Sequence, residues 1–142
     1  MAYNGQHYEE LERRNKNAAS RFVSCMNNTK WREVLGCVAR LDLIFQIAWV
    51  RDFDWNTEGL RTVIESMIDT RGLRDPGIGG QCLYRDILWI RLPFAIHNPY
   101  WGQVPTQQPV QQLLNELAGL GTFSTERTQK YLEIRGYETR AA

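Results

Sequence analysis

Between Met26 and Trp31 two asparagines and a threonine interrupt one apolar-periodic run and begin another, in the stretch Ser24-Cys25-Met26-Asn27-Asn28-Thr29-Lys30-Trp31. Asn and Thr side-chain oxygens accept the N–H groups that the first turn of a helix leaves unpaired. The stretch therefore predicts a helix end followed at once by an N-cap. Trp31 and Leu35 lie one turn apart, which puts both on one helix face. A chain with this joint must turn there and bury an apolar face beyond it. Asn27, Asn28 and Thr29 are expected to be spent on backbone hydrogen bonds, and Trp31 to lie beneath a sheet.

Around that joint the periodicities predict an N-terminal helix pair. Residues 8–26 read as a helix whose first half is a solvated mixture of Glu and Arg and whose second half carries Ala18, Ala19, Phe22, Val23 and Met26 at helical spacing. Residues 30–41 form the second helix, with Trp31, Val34, Leu35, Val38 and Leu41 inward. Residues 42–50, β-branched, aromatic and apolar on both faces, predict an interior strand. Residues 52–56 read as a turn. Leu60, Val63, Ile64, Met67 and Ile68 fit a 3.6-residue period, so residues 57–69 are expected to be helical, although Thr62, Val63 and Ile64 would also suit a strand.

Residues 71–80, with four glycines and a proline, predict a loop. Their spacing matches neither phosphate-binding glycine motif, and a strand rather than a helix follows. Residues 83–92 alternate as a strand, with Tyr84, Asp86, Leu88, Ile90 and Leu92 on one face and Leu83, Arg85, Ile87, Trp89 and Arg91 on the other. Residues 93–105 form an irregular aromatic stretch in which His97 and Tyr100 have no nucleophile or carboxylate nearby to complete a catalytic set. A helix is expected over 106–120, capped by Thr106 with Pro109 in its first turn and Val110, Leu113, Leu114 and Leu117 inward; Gly119 and Gly121 end it. Residues 122–125 and 129–137 predict a hairpin, with Leu132 and Ile134 inward and Tyr131, Glu133 and Arg135 outward. These elements define an α+β fold: one domain over 1–142, its core spanning about 8–137, with a small, mainly antiparallel sheet packed against helices.

Composition narrows the class. A 142-residue chain that is 43% hydrophobic and 23% charged can bury a core without staples. A net charge of +1 supplies no global field for nucleic acid or membrane. The three cysteines, Cys25, Cys37 and Cys82, form no C-x-x-C pair and read as thiols in a reducing compartment. The N-terminus lacks a signal-peptide pattern, and the longest apolar run, 41–50, contains Asp42 and Gln46 and is too short to span a bilayer. The expected location is the cytoplasm. No catalytic residue, metal site or cofactor is expected.

The segment Met26-Asn27-Asn28-Thr29-Lys30-Trp31-Arg32-Glu33 resembles the opening motif of a small bacterial domain family of unassigned activity. Tyr84-Arg85-Asp86-Ile87-Leu88-Trp89-Ile90 and Arg135-Gly136-Tyr137 are similar to its later strand and closing hairpin, so the resemblance covers roughly 20–137. It implies no catalytic residues. At the level of class it resembles immunity proteins, which bind and neutralise a toxin in interbacterial competition.

Charge patterning gives that class a location. Asp52, Asp54, Glu58, Glu65 and Asp69 face only Arg61 between positions 52 and 69, a local balance of −4, with Phe53 and Trp55 among the acids. Carboxylates around an aromatic anchor suit an inhibitor of a cation-lined active site, with Asp52, Asp54, Trp55, Glu58, Glu65 and Asp69 as the partner-binding set. Two other readings stand beside it: a metal-dependent enzyme using Asp52 and Asp54, and a nucleic-acid module using Arg85, Trp89 and Arg91 as a stacking platform.

Overall fold

A computed structural model describes residues 22–50, 60–75, 80–97 and 104–139. Among these, two α-helices, α1 (Asn28–Arg40) and α2 (Val110–Ala118), accompany antiparallel strands, so the fold is α+β. The strands are β1 (Phe22–Ser24), β2 (Gln46–Trp49), β3 (Gly72–Asp75), β4 (Gly80–Leu83), β5 (Ile87–Pro93), β6 (Ala95–Ile96), β7 (Thr106–Gln107), β8 (Thr125–Arg127), β9 (Tyr131–Arg135) and β10 (Tyr137–Thr139). The main sheet has four strands in the order β2-β5-β9-β8, and three two-stranded ladders, β1-β10, β3-β4 and β6-β7, surround it.

The core lies between the helices and one face of this sheet. Trp31, Val34, Leu35 and Val38 of α1 and Val110, Leu113 and Leu117 of α2 are buried against Phe45, Ile47, Ile90, Leu92, Leu132 and Ile134. Each such side chain contributes on the order of 1.5–3 kcal/mol through burial.

Both ends of α1 follow from local chemistry. Asn27 has extended backbone and its Oδ1 accepts from Lys30 N at 2.7 Å, which makes it the N-cap. Thr29 is used differently from expectation: its hydroxyl accepts from the Arg32 guanidinium, not from backbone. At the other end Asp42 N donates to Ala39 O and Leu43 N to Val38 O, the paired bonds of a Schellman motif, and Asp42 takes φ 51°. Residues 42–45 are therefore helix end and connection, and the strand expected over 42–50 is confined to Gln46–Trp49.

Among the described residues β2 is at the edge of the sheet, not in its interior. Its neighbours Phe45 and Ile47 face the main core, while Ala48 and Val50 join Leu88 in a smaller buried cluster on the opposite face. Burial on both faces determines composition without requiring a hydrogen-bonded partner on both edges. Just before β2, Phe45 and Arg61 form a bridge, exchanging N–H···O bonds of 2.9 and 3.0 Å.

Several other expectations are corrected. Phe22–Ser24, expected in the first helix, form a strand paired with β10; residues 8–21 lie outside the described residues. Residues 60–69 are not helical: Arg61 bridges Phe45, Glu65–Met67 make one 3-10 turn, and Ile68 bridges Leu73. The apolar period is not buried as a stripe there, since Val63 is buried while Leu60 and Ile64 are exposed. β-branched Thr62, Val63 and Ile64 favour the extended chain. Residues 57–59 lie outside the described residues.

The expected loop 71–80 is instead framed by the β3-β4 ladder, with 76–79 outside the described residues. Gly72 permits it, because a Cβ there would sit 2.1 Å from Cys82 O. Tyr84–Asp86 form a 3-10 turn, so the expected strand 83–92 is split. In β5, Trp49 pairs with Ile87 but Ala48 with Trp89, leaving Leu88 as a bulge. The bulge reverses the expected facing of Ile87 and Leu88: Ile87 joins the core and Leu88 the smaller cluster. Thr106 belongs to β7 and does not cap α2, which starts after Pro109.

Candidate functional site

Of the acidic set, Asp52, Asp54, Trp55 and Glu58 lie outside the described residues, and Glu65 and Asp69 lie on one short, pinned segment. Arg61 is held to Phe45 at its start, Ile68 to Leu73 at its end, and buried Val63 anchors its middle. Between these anchors Glu65 is exposed in the 3-10 turn, next to Ile64 at 59% exposure, and Leu60, just before the first anchor, is 47% exposed. Asp69 is more committed. Its carboxylate accepts from Thr70 N at 2.8 Å and from Arg74 Nε at 2.9 Å. The Thr70 bond first, then the Arg74 charge, holds its pKa below the ordinary 3.8.

The residues of the proposed stacking platform are separated. Trp89 and Arg91 lie on the outer sheet face, whereas Arg85 is carried on the Tyr84–Asp86 turn. The Arg91 guanidinium lies 3.8 Å from the Trp89 ring centre and 4.7 Å from that of Tyr131, and its Nε donates to Glu133 Oε1 at 2.8 Å. Arg135 donates to the other Glu133 oxygen at 2.7 Å and also pairs with Glu126. Charge and aromatic face are used on one another, so this face is a cross-strand lattice.

The joint itself borders a concavity. A cleft of about 250 Å³ is lined by Asn28, Trp31, Tyr84, Arg85 and Tyr137, among others. A second, of about 280 Å³, is lined by Asn28, Arg71, Leu83 and Arg85. Tyr84 is buried and its hydroxyl donates to Asp69 O at 2.6 Å; burial pushes its pKa to about 12. Tyr137 donates to Arg85 O at 2.5 Å, and burial, then the nearby Asp86 charge, raises its pKa. Gly136 closes the floor, where a Cβ would meet Ile87 O at 2.4 Å and Trp31 Cζ2 at 3.0 Å.

From its sequence the joint is expected to be structural, and Arg71 is not expected in a site. No local pattern signals it, because Arg71 and Arg85 are brought together by the β3-β4 ladder. The exposed His97 stands at the end of β6, and its suggested partner Tyr100 lies outside the described residues. Cys25, Cys37 and Cys82 form no disulfide with one another. Among the described residues no group of three or more His, Cys, Asp or Glu could hold a metal ion, and no helix is long and apolar enough to cross a membrane.

Comparison of the chain with family models, curated proteins and solved structures gives no match.

Proposed function

We propose that this chain is a non-enzymatic binding protein that acts in the cytoplasm and neutralises a toxin by covering its active site, with the acidic segment as its recognition surface. The observation that carries this reading is the stretch 61–68, pinned at both ends, where exposed Ile64 directly precedes exposed Glu65 and exposed Leu60 stands just before the first anchor. Exposed aliphatic side chains beside a carboxylate, on a segment that loses little freedom on docking, meet the needs of an interface. Asp52, Asp54, Trp55 and Glu58 belong to the same acidic run in sequence and would extend the surface. The resemblance of the Asn27–Trp31 motif to a bacterial domain family points to the same class.

The experiment is coexpression with the product of the reading frame next to this gene, if that product is a secreted protein with a toxic C-terminal domain. The reading predicts that the chain rescues growth and co-purifies with the toxic domain, and that charge reversal at Asp52, Asp54 or Glu58 weakens the complex without unfolding the chain. Absence of both rescue and complex overturns it.

A further inference from the structure

Most arginines of the described residues are engaged by neighbouring side chains. Arg32 bonds Thr29, Arg40 bonds Cys37 and pairs with Glu116, Arg74 pairs with Asp69, Arg91 with Glu133, Arg127 bonds Gln111, and Arg135 pairs with Glu133 and Glu126. Arg71 and Arg85 have no such side-chain partner among the described residues, and both line the same cleft of about 280 Å³. The Asn28 side-chain amide, likewise without a partner there, lines it too.

The backbones that carry these groups are fixed. Arg71 O accepts from Tyr84 N at 3.0 Å, and Arg85 O accepts from Tyr137 Oη at 2.5 Å. Asn28 is the first residue of α1. Two like charges facing one concavity repel each other unless an anion lies between them. The adjoining cleft shares Asn28 and Arg85 and brings in the half-buried Met26 and the Trp31 and Tyr84 rings beneath. An apolar floor with a few converging polar groups is the arrangement of a small-ligand site, and this one is just below the usual size range.

We infer that the cleft binds a small organic anion, its phosphate or carboxylate group held by the Arg71 and Arg85 guanidiniums and the Asn28 amide, its organic body against Leu83 and Met26. Guanidinium forks match either oxyanion, so the chemistry is common to both. Anion binding in this cleft requires neither the acidic segment nor a toxin.

The test is a titration of the full-length, ¹⁵N-labelled chain with phenyl phosphate, benzoate and inorganic phosphate, each at matched ionic strength with sodium chloride as the control. The expected result is saturable shifts of the Asn28, Arg85 and Gly136 amides with an organic anion, weakened at least about tenfold in both Arg71→Gln and Arg85→Gln. Whether phenyl phosphate or benzoate binds more tightly identifies the group recognised. Both arginines are exposed, so spectra elsewhere should superimpose on those of the parent chain. No saturable shift by about 10 mM of any probe, an equal response to chloride, or undiminished affinity in both variants overturns the inference.

Discussion

Glu133 is 6% exposed and divides its two oxygens between Arg91 at 2.8 Å and Arg135 at 2.7 Å. Arg91 and Glu133 are directly opposed across β5 and β9, so this pair ties the two central strands on the face away from the helices. Removing the carboxylate leaves two guanidiniums beside each other on the sheet. Glu133→Ala is expected to cost about 2–3 kcal/mol, below the loss for a wholly buried pair because Arg91 is still 30% exposed. Glu133→Gln should cost roughly half as much. Urea unfolding monitored by far-UV circular dichroism measures both.

Asp42 offers the opposite prediction. It occupies the left-handed position of the Schellman motif at φ 51°, where a Cβ is strained, and it puts a negative charge at the C-terminal end of α1. Asp42→Gly should raise stability by about 0.5–1 kcal/mol, seen as a higher thermal midpoint. A lower midpoint would show that the Asp42 side chain holds a bond worth more than this strain.

Tyr84 governs the alkaline limit. Its pKa is raised from 10.0 to about 12, so the folded chain keeps the phenol proton that the unfolded chain releases. The stabilisation is complete below pH 10.0 and is lost as pH rises toward about 12. The total loss is roughly 2–3 kcal/mol. Tyr84→Phe should flatten that decline, at a cost of about 1 kcal/mol at neutral pH for the bond to Asp69 O. Unfolding midpoints of parent and variant measured at several pH values from neutrality into this range test the sign and the size.

Gln108 is the clamp between helix and sheet. Its Oε1 accepts from Ile44 N at 2.6 Å while its Nε2 donates to Ile44 O at 2.9 Å and to Pro93 O at 2.7 Å. One amide thus serves three backbone groups ahead of β2 and at the end of β5. Gln108→Leu should cost about 2–4 kcal/mol, since it leaves these groups unpaired, and should speed amide exchange at Ile44. Gln108→Glu should not rescue it, because a carboxylate cannot donate to Ile44 O or Pro93 O.

The parts of this fold legible in the sequence are those set by residues close along the chain. The Asn27 cap, the buried stripe of α1 and the inward Leu132 and Ile134 follow from side-chain chemistry and period. What could not be read depends on distant partners. Strand β1 exists because β10 returns to pair with it, β2 is an edge because of sheet order, and the Leu88 bulge shows only in the register against Ala48 and Trp49. The segment 60–69 misled because Leu60 and Ile64 fit a helical period while facing solvent. The same exposure is what makes that segment a candidate interface. The clustering of Arg71 with Arg85 is a tertiary event and left no trace in local pattern.

The most direct test of the proposed recognition surface is the affinity of the chain for a toxin domain that co-purifies with it, measured by calorimetry for the parent and for Ile64→Asp combined with Glu65→Lys. Both positions are exposed, so the thermal midpoint of the free chain should move little. The dissociation constant is expected to rise at least about tenfold, the loss of an exposed aliphatic contact and an oriented charge. An unchanged dissociation constant with an intact fold would contradict it and place the interface elsewhere on the molecule.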